Sequence, residues 1–127
     1  SSISHQIKLI SSQAVAFFAK SGSLSVLNKA VLYVRANEQC AWLHIIHIYQ
    51  HESSIPPKLS RNVAILDEAY PKIKIDLLLV KGDFSPTTIN YLSYRLSIPK
   101  NLMFLTCPKK GFAHKLDALG GVRLITH

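Results

Sequence analysis

Two short segments of this chain bring together lysine, hydroxyl and glycine in a way that suits an anion. Lys20, Ser21, Gly22 and Ser23 follow one apolar run, and Lys109, Lys110 and Gly111 follow another. Lysines supply positive charge, and the first turn of a helix supplies unbonded N–H groups that attract negative ones. A phosphate cradle needs several successive backbone N–H groups, and one glycine beside Lys109 and Lys110 does not make it. The ligand expected here is a weakly held anion or a lipid headgroup. The simpler reading is that these lysines are solvated loop residues.

Other reactive side chains lack partners at useful spacing. His44 and His47 stand three apart in an apolar run, so in a strand they point to opposite faces and cannot share a metal. They are expected to be core histidines with satisfied hydrogen bonds. Cys40 and Cys107 match neither zinc spacing nor a disulfide framework. Lysines near Cys107 make an electropositive setting, but no base accompanies it at fixed spacing. Asp67, Glu68 and Asp83 read as isolated acids, with Asp83 shaping a turn. Ser23, Ser25 and Ser85 read as helix caps, since no G-x-S-x-G elbow is present. The sequence therefore names no catalytic residue, no metal site and no resident cofactor.

The elements that must position these residues alternate regularly. Residues 14–18 (AVAFF), 42–49 (WLHIIHIY), 73–80 (IKIDLLLV), 102–106 (LMFLT) and 122–126 (VRLIT) are apolar runs of strand length. Between them, Leu24, Leu27, Val31 and Val34 fall on one helical stripe, as do Leu59, Val63, Leu66 and Tyr70, and then Ile89, Leu92 and Leu96. Ser23 or Ser25, a proline pair at Pro56-Pro57, and Ser85-Pro86 signal the helix starts. Asn37 is a candidate left-handed C-cap, Pro71 a stop, and residues 112–119 a fourth, short helix ended by Gly120-Gly121. Strand and helix in alternation predict a three-layer α/β/α domain with a five-stranded, mainly parallel sheet. The expected order is 3-2-1-4-5. It puts both cysteines at opposite ends of parallel strands, beyond the ~7 Å a disulfide allows, so both thiols should be free. It also sets the Lys20 and Lys109 loops face to face where strand order reverses, the usual ligand position in such sheets. Val122, Arg123, Leu124, Ile125 and Thr126 would form an edge strand able to pair with a second copy or with another segment of a longer chain.

Composition bounds the rest. The 127 residues are 48% hydrophobic and 17% charged, the profile of one folded domain. Fifteen Lys and Arg against seven Asp and Glu give a formal charge of +8. That charge is dispersed, without an Arg-rich helix or a strand alternating Lys with aromatics, so an anionic membrane surface fits better than nucleic acid. No apolar run approaches the ~18 residues needed to cross a bilayer, and no signal peptide pattern opens the chain. Without an initiator Met, the chain is expected to be part of something longer. Ile3, Ile7 and Ile10 make residues 1–12 a connector helix from a preceding domain, with 13–127 as the folded unit.

The phrases AVAFFAKSGSLSVLNKAVLYV, AWLHIIHIYQHE and DLLLVKGDFSPTTINYL resemble the universal stress protein framework. LNKAVLYVRANEQ, LDEAYPKIKIDLLLVKGDFSP, LSIPKNLMFLTCP and LGGVRLIT are similar to a narrower group. That group is the soluble C-terminal domain following the membrane helices of some permeases in the amino acid–polyamine–organocation superfamily. The resemblance implies a non-catalytic regulatory or assembly domain at the cytoplasmic face of a membrane, with the membrane domain of the same chain as partner. The alternative it leaves is a freestanding universal-stress-like protein that binds a nucleotide or another anion. Nucleotide binders of that family carry an acidic residue after the first strand and a glycine-rich run after the fourth. This chain has Ala19-Lys20 and Cys107-Pro108-Lys109-Lys110-Gly111 at those places, which weighs against ATP bound in that manner.

Overall fold

The computed structural model describes residues 13–37, 41–106 and 120–125. Within them the chain runs β1 (Ala14–Phe18), α1 (Leu24–Asn37), β2 (Trp42–Tyr49), α2 (Leu59–Ala69), β3 (Lys74–Lys81), α3 (Pro86–Leu96), β4 (Met103–Thr106) and β5 (Arg123–Ile125). The strands form one sheet in the order β3-β2-β1-β4-β5, and every neighbouring pair is parallel. This is the α/β architecture and strand order that the alternating pattern predicts.

The placement of the helices follows from the handedness of crossovers. Moving from β1 to β2 to β3 in one direction puts α1 and α2 on the same face. There Leu27, Val31, Val63 and Leu66 pack on Phe17 and Ile45. From β3 the chain must travel back past β2 and β1 to reach β4, so α3 crosses the opposite face. On that side Ile89 and Leu92 pack with Phe18, Ile46, Met103 and Leu105. β1 sits in the middle with both faces covered. Val15, Ala16, Phe17 and Phe18 are all at most 5% exposed, which explains why this strand is apolar at every position rather than at alternate ones.

Several boundaries differ from the sequence expectation for identifiable reasons. Leu24 is 40% exposed, whereas Ala30 is fully buried; a small side chain lets α1 lie close to the sheet. The proline pair sits before α2 and not in its first turn, with the Pro56 carbonyl accepting from the Leu59 N–H at 3.1 Å. Tyr70 ends α2 as its C-cap, and its hydroxyl donates to Asn28 Oδ1 at 2.6 Å. Asn37 is the last helical residue of α1, without left-handed backbone, and its amide donates to the Tyr33 carbonyl at 2.9 Å. Among the described residues Ser97, which caps α3 with φ 54°, is the one non-glycine at positive φ. Leu102 closes a short 3-10 turn before β4. Val122 precedes β5 and is buried. The connector over residues 1–12, the helix over 112–119, Cys40 and Cys107 lie outside the described residues.

Candidate functional site

Strand order reverses between β1 and β4, and the loop leaving β1 carries Lys20, Ser21, Gly22 and Ser23. Its polar groups are largely committed to the fold. Ser21 Oγ accepts from the Ser23 N–H at 3.0 Å. Ser23 Oγ accepts from the Val26 N–H at 3.4 Å, so Ser23 and not Ser25 caps α1. Asn62 Nδ2 donates to the Gly22 carbonyl at 2.6 Å, and Asn62 itself is buried. A Cβ at Gly22 would meet Pro56 Cβ at 3.0 Å and the Leu59 nitrogen at 3.1 Å. The glycine is required by the close approach of α2. Lys20 lies with its Nζ 5.9 Å from the centre of the Phe84 ring.

On the α3 side, Phe84 covers the carboxyl ends of the central strands and packs edge-on against Phe18, ring centres 5.5 Å apart. Beneath it is a cavity of about 70 Å³ with Ile46, Ile48, Leu105 and Thr106 among its walls. Ligand pockets usually run to roughly 300–1,000 Å³, so this space suits a small group at most. On the other side of the Lys20 loop, an open groove of about 500 Å³ runs along Gly22, Ser23, Pro56, Lys58 and Arg61. Lys58 and Arg61 were missed as candidate anion ligands, because a charge in a helix start signals nothing until α1 and α2 are known to be adjacent. Lys109, Lys110 and Gly111, expected opposite Lys20, lie outside the described residues.

The two histidines face opposite sides of β2, each with a partner. His47 is buried, and its Nδ1 lies 2.8 Å from the Ala19 carbonyl. A carbonyl only accepts, so Nδ1 is the donor in this contact. His44 Nδ1 lies 2.6 Å from Asp76 Oδ1, and Trp42 Nε1 donates to Asp76 Oδ2 at 2.8 Å. Lys74 Nζ sits 4.4 Å from the Trp42 ring centre. Parallel register sets His44 beside Asp76 and Trp42 beside Lys74, so this cluster occupies the amino end of the sheet, away from the strand ends where ligands usually bind. Among the described residues no group of three His, Cys, Asp or Glu could hold a metal ion.

Asp67 and Asp83 are not isolated, which corrects the sequence reading for those two acids. Asp67 Oδ1 accepts from the Ile75 N–H of β3 at 2.8 Å, and Asp83 accepts from the side-chain amide of Gln50. Ser85 caps α3 as expected, accepting from the Thr88 N–H at 3.3 Å.

Both sheet edges are described in part or whole. At β5, Arg123 lies 4.9 Å from the Phe104 ring centre and donates to the Tyr33 hydroxyl at 3.3 Å. Val122 and Ile125 are buried and Leu124 is half-buried, while Thr126 lies outside the described residues. At the other edge β3 runs for eight residues, with Leu79 exposed. No helix of the described residues is long and apolar enough to cross a membrane. Comparison of the chain with protein-family models, curated proteins and solved structures found no match.

Proposed function

We propose that this chain is a non-catalytic C-terminal domain that regulates or assembles a membrane amino-acid transporter. It would work at the cytoplasmic face of the membrane, against the membrane domain of its own chain. The observation that carries this reading is the state of the loop after β1. Its glycine is consumed by contact with Pro56 and Leu59, and its carbonyl by Asn62. A loop committed in this way supports the fold in preference to cradling phosphate. The resemblance of LNKAVLYVRANEQ and its companion phrases to permease C-terminal domains supplies the carrier, and the +8 charge suits an anionic surface nearby.

The test is the reading frame upstream of Ser1, followed by transport. Ten or more apolar segments of about 20 residues are expected there. Deleting the domain should leave uptake per carrier molecule intact while altering the carrier's surface abundance or response. A short soluble leader upstream, or loss of uptake with normal surface abundance, rejects the proposal.

A second reading, a freestanding anion or nucleotide binder, is favoured by the groove that gathers Lys58 and Arg61 beside the start of α1. Titration calorimetry at low salt with inorganic phosphate and with ATP checks it. Equal heats for wild type, Lys20→Glu and Lys58→Glu/Arg61→Glu would dispose of it.

A further inference from the structure

Among the described residues β3 lies at the end of the sheet with no strand on its outer side, and the hydrogen-bond pattern shows which of its groups face outward. The Lys74 N–H donates to the Ala41 carbonyl and the Gly82 N–H to the Tyr49 carbonyl, both in the direction of β2. In a parallel ladder the direction alternates residue by residue. The even-numbered residues of β3 therefore bond inward, while Ile75, Leu77, Leu79 and Lys81 turn their N–H and C=O groups outward. Among the described residues one of those groups has a partner, the Ile75 N–H held by Asp67. The side chains along this edge are mostly apolar, with Leu79 47% exposed and Leu77, Leu78 and Val80 half-buried.

We propose that β3 is the association edge of this protein and that its occupant is a second copy of the same chain, paired antiparallel about a two-fold axis through Leu78. Such an axis stands perpendicular to the sheet, so it keeps each face continuous and sets odd residues opposite odd ones. Centred on Leu78, it places Leu77 opposite Leu79 twice, Leu78 opposite itself, and Ile75 opposite Lys81. The Leu77–Leu79 pairs then exchange all their outward groups, and the Ile75 carbonyl remains available to the Lys81 N–H. Lys74 falls opposite Gly82, so no lysine faces a lysine. Centring on Leu77 would set Ile75, whose N–H Asp67 already holds, against Leu79. Centring on Leu79 would set Leu77 against Lys81 and shorten the overlap. The apolar ladder and the Asp67 plug thus favour this register with the chain's own copy. The inference is independent of the transporter reading.

Sedimentation velocity over the micromolar range is the first measurement, with a dimer of the 14.2 kDa chain expected. Proline at an outward-bonding position removes no ladder bond to β2, so Leu79→Pro should fold and weaken the dimer by about tenfold or more. Leu79→Lys, at an exposed position, gives the same readout should the proline variant not fold. The register is tested in a Cys40→Ser/Cys107→Ser background. In it Leu78→Cys should form a disulfide with its copy, since a non-hydrogen-bonded antiparallel pair sets Cα atoms about 4.5 Å apart. Leu77→Cys and Leu124→Cys should stay reduced. A monomer at all concentrations, or a folded Leu79→Pro/Lys dimer of unchanged affinity, overturns the proposal. Cross-linking through Leu124→Cys alone would move the interface to β5, and a folded monomer that takes up a strand-forming peptide would give the edge to another chain.

Discussion

Asp76 bridges two neighbouring side chains on one face of β2. It accepts from Trp42 on one oxygen and binds His44 on the other, and His44 has little access to water to replace it. Replacing one partner of a shielded hydrogen bond strands the other, which costs about 1–3 kcal/mol. Asp76→Ala should lower stability to urea by about 1–2 kcal/mol in that range. In a double-mutant cycle with His44→Ala the losses should fall short of additive; strictly additive losses would mean the contact contributes nothing. Gly22 gives a second test at this scale. Gly22→Ala forces a methyl against Pro56 and the α2 backbone, and overpacking of that kind costs about 1–3 kcal/mol. A loss of stability is expected from denaturant unfolding. An unchanged midpoint would mean that the glycine serves something other than the approach of α2.

Helix ends carry the predictions at the next scale. Ser97 holds the left-handed position after α3, φ 54°, a conformation that costs an L-residue roughly 1–2 kcal/mol. Glycine removes that cost but frees the unfolded chain by about 0.4–1 kcal/mol. The first term is larger, so Ser97→Gly should stabilise the domain by up to about 1 kcal/mol, read as a raised melting temperature. Ser85→Ala should act in the other direction by about 0.5–2 kcal/mol. The contrast shows what was legible at this level. Ser85 was readable because a cap and its Pro86 neighbour are adjacent in sequence. Ser97 was not, because nothing in RLSIPK distinguishes a left-handed serine from a helical one until the turn is closed by the Ser97 N–H on the Ser93 and Tyr94 carbonyls.

For the whole molecule, the strand order was legible because apolar runs and helical stripes alternate, and parallel connection with right-handed crossovers leaves few topologies. The partners of His44 and of Ile75 were not. His44 and Asp76 are 32 residues apart, and only the register of β2 on β3 brings them together. Asp67 reads as a helix-surface acid until β3 is known to be an edge. The sheet's layering also predicts a gradient of protection. Amides of β1, bordered by strands on both sides and covered on both faces, should exchange with deuterium most slowly. The outward amides of Leu77, Leu79 and Lys81 in β3 should exchange fastest among the strands, unless the dimer covers them. Mass-resolved exchange at low and high protein concentration separates the two cases.

The return of the chain from β3 past two strands to β4 has a consequence during synthesis. Residues 13–81 are contiguous and contain β1, β2, β3 and both helices of one face, so they can assemble as soon as they leave the ribosome. Until β4 arrives, β1 offers a bare apolar flank on its far side, with Phe18 uncovered where α3 and Leu105 will later pack. A nascent chain that has emerged from the ribosome only as far as residue 85 should therefore be a substrate for chaperones that hold exposed strands, and one that has emerged past residue 106 should have lost that affinity. Crosslinking of stalled ribosome complexes with a holdase present reads this directly, and equal capture at the two lengths would mean the sheet is not built from its β3 side.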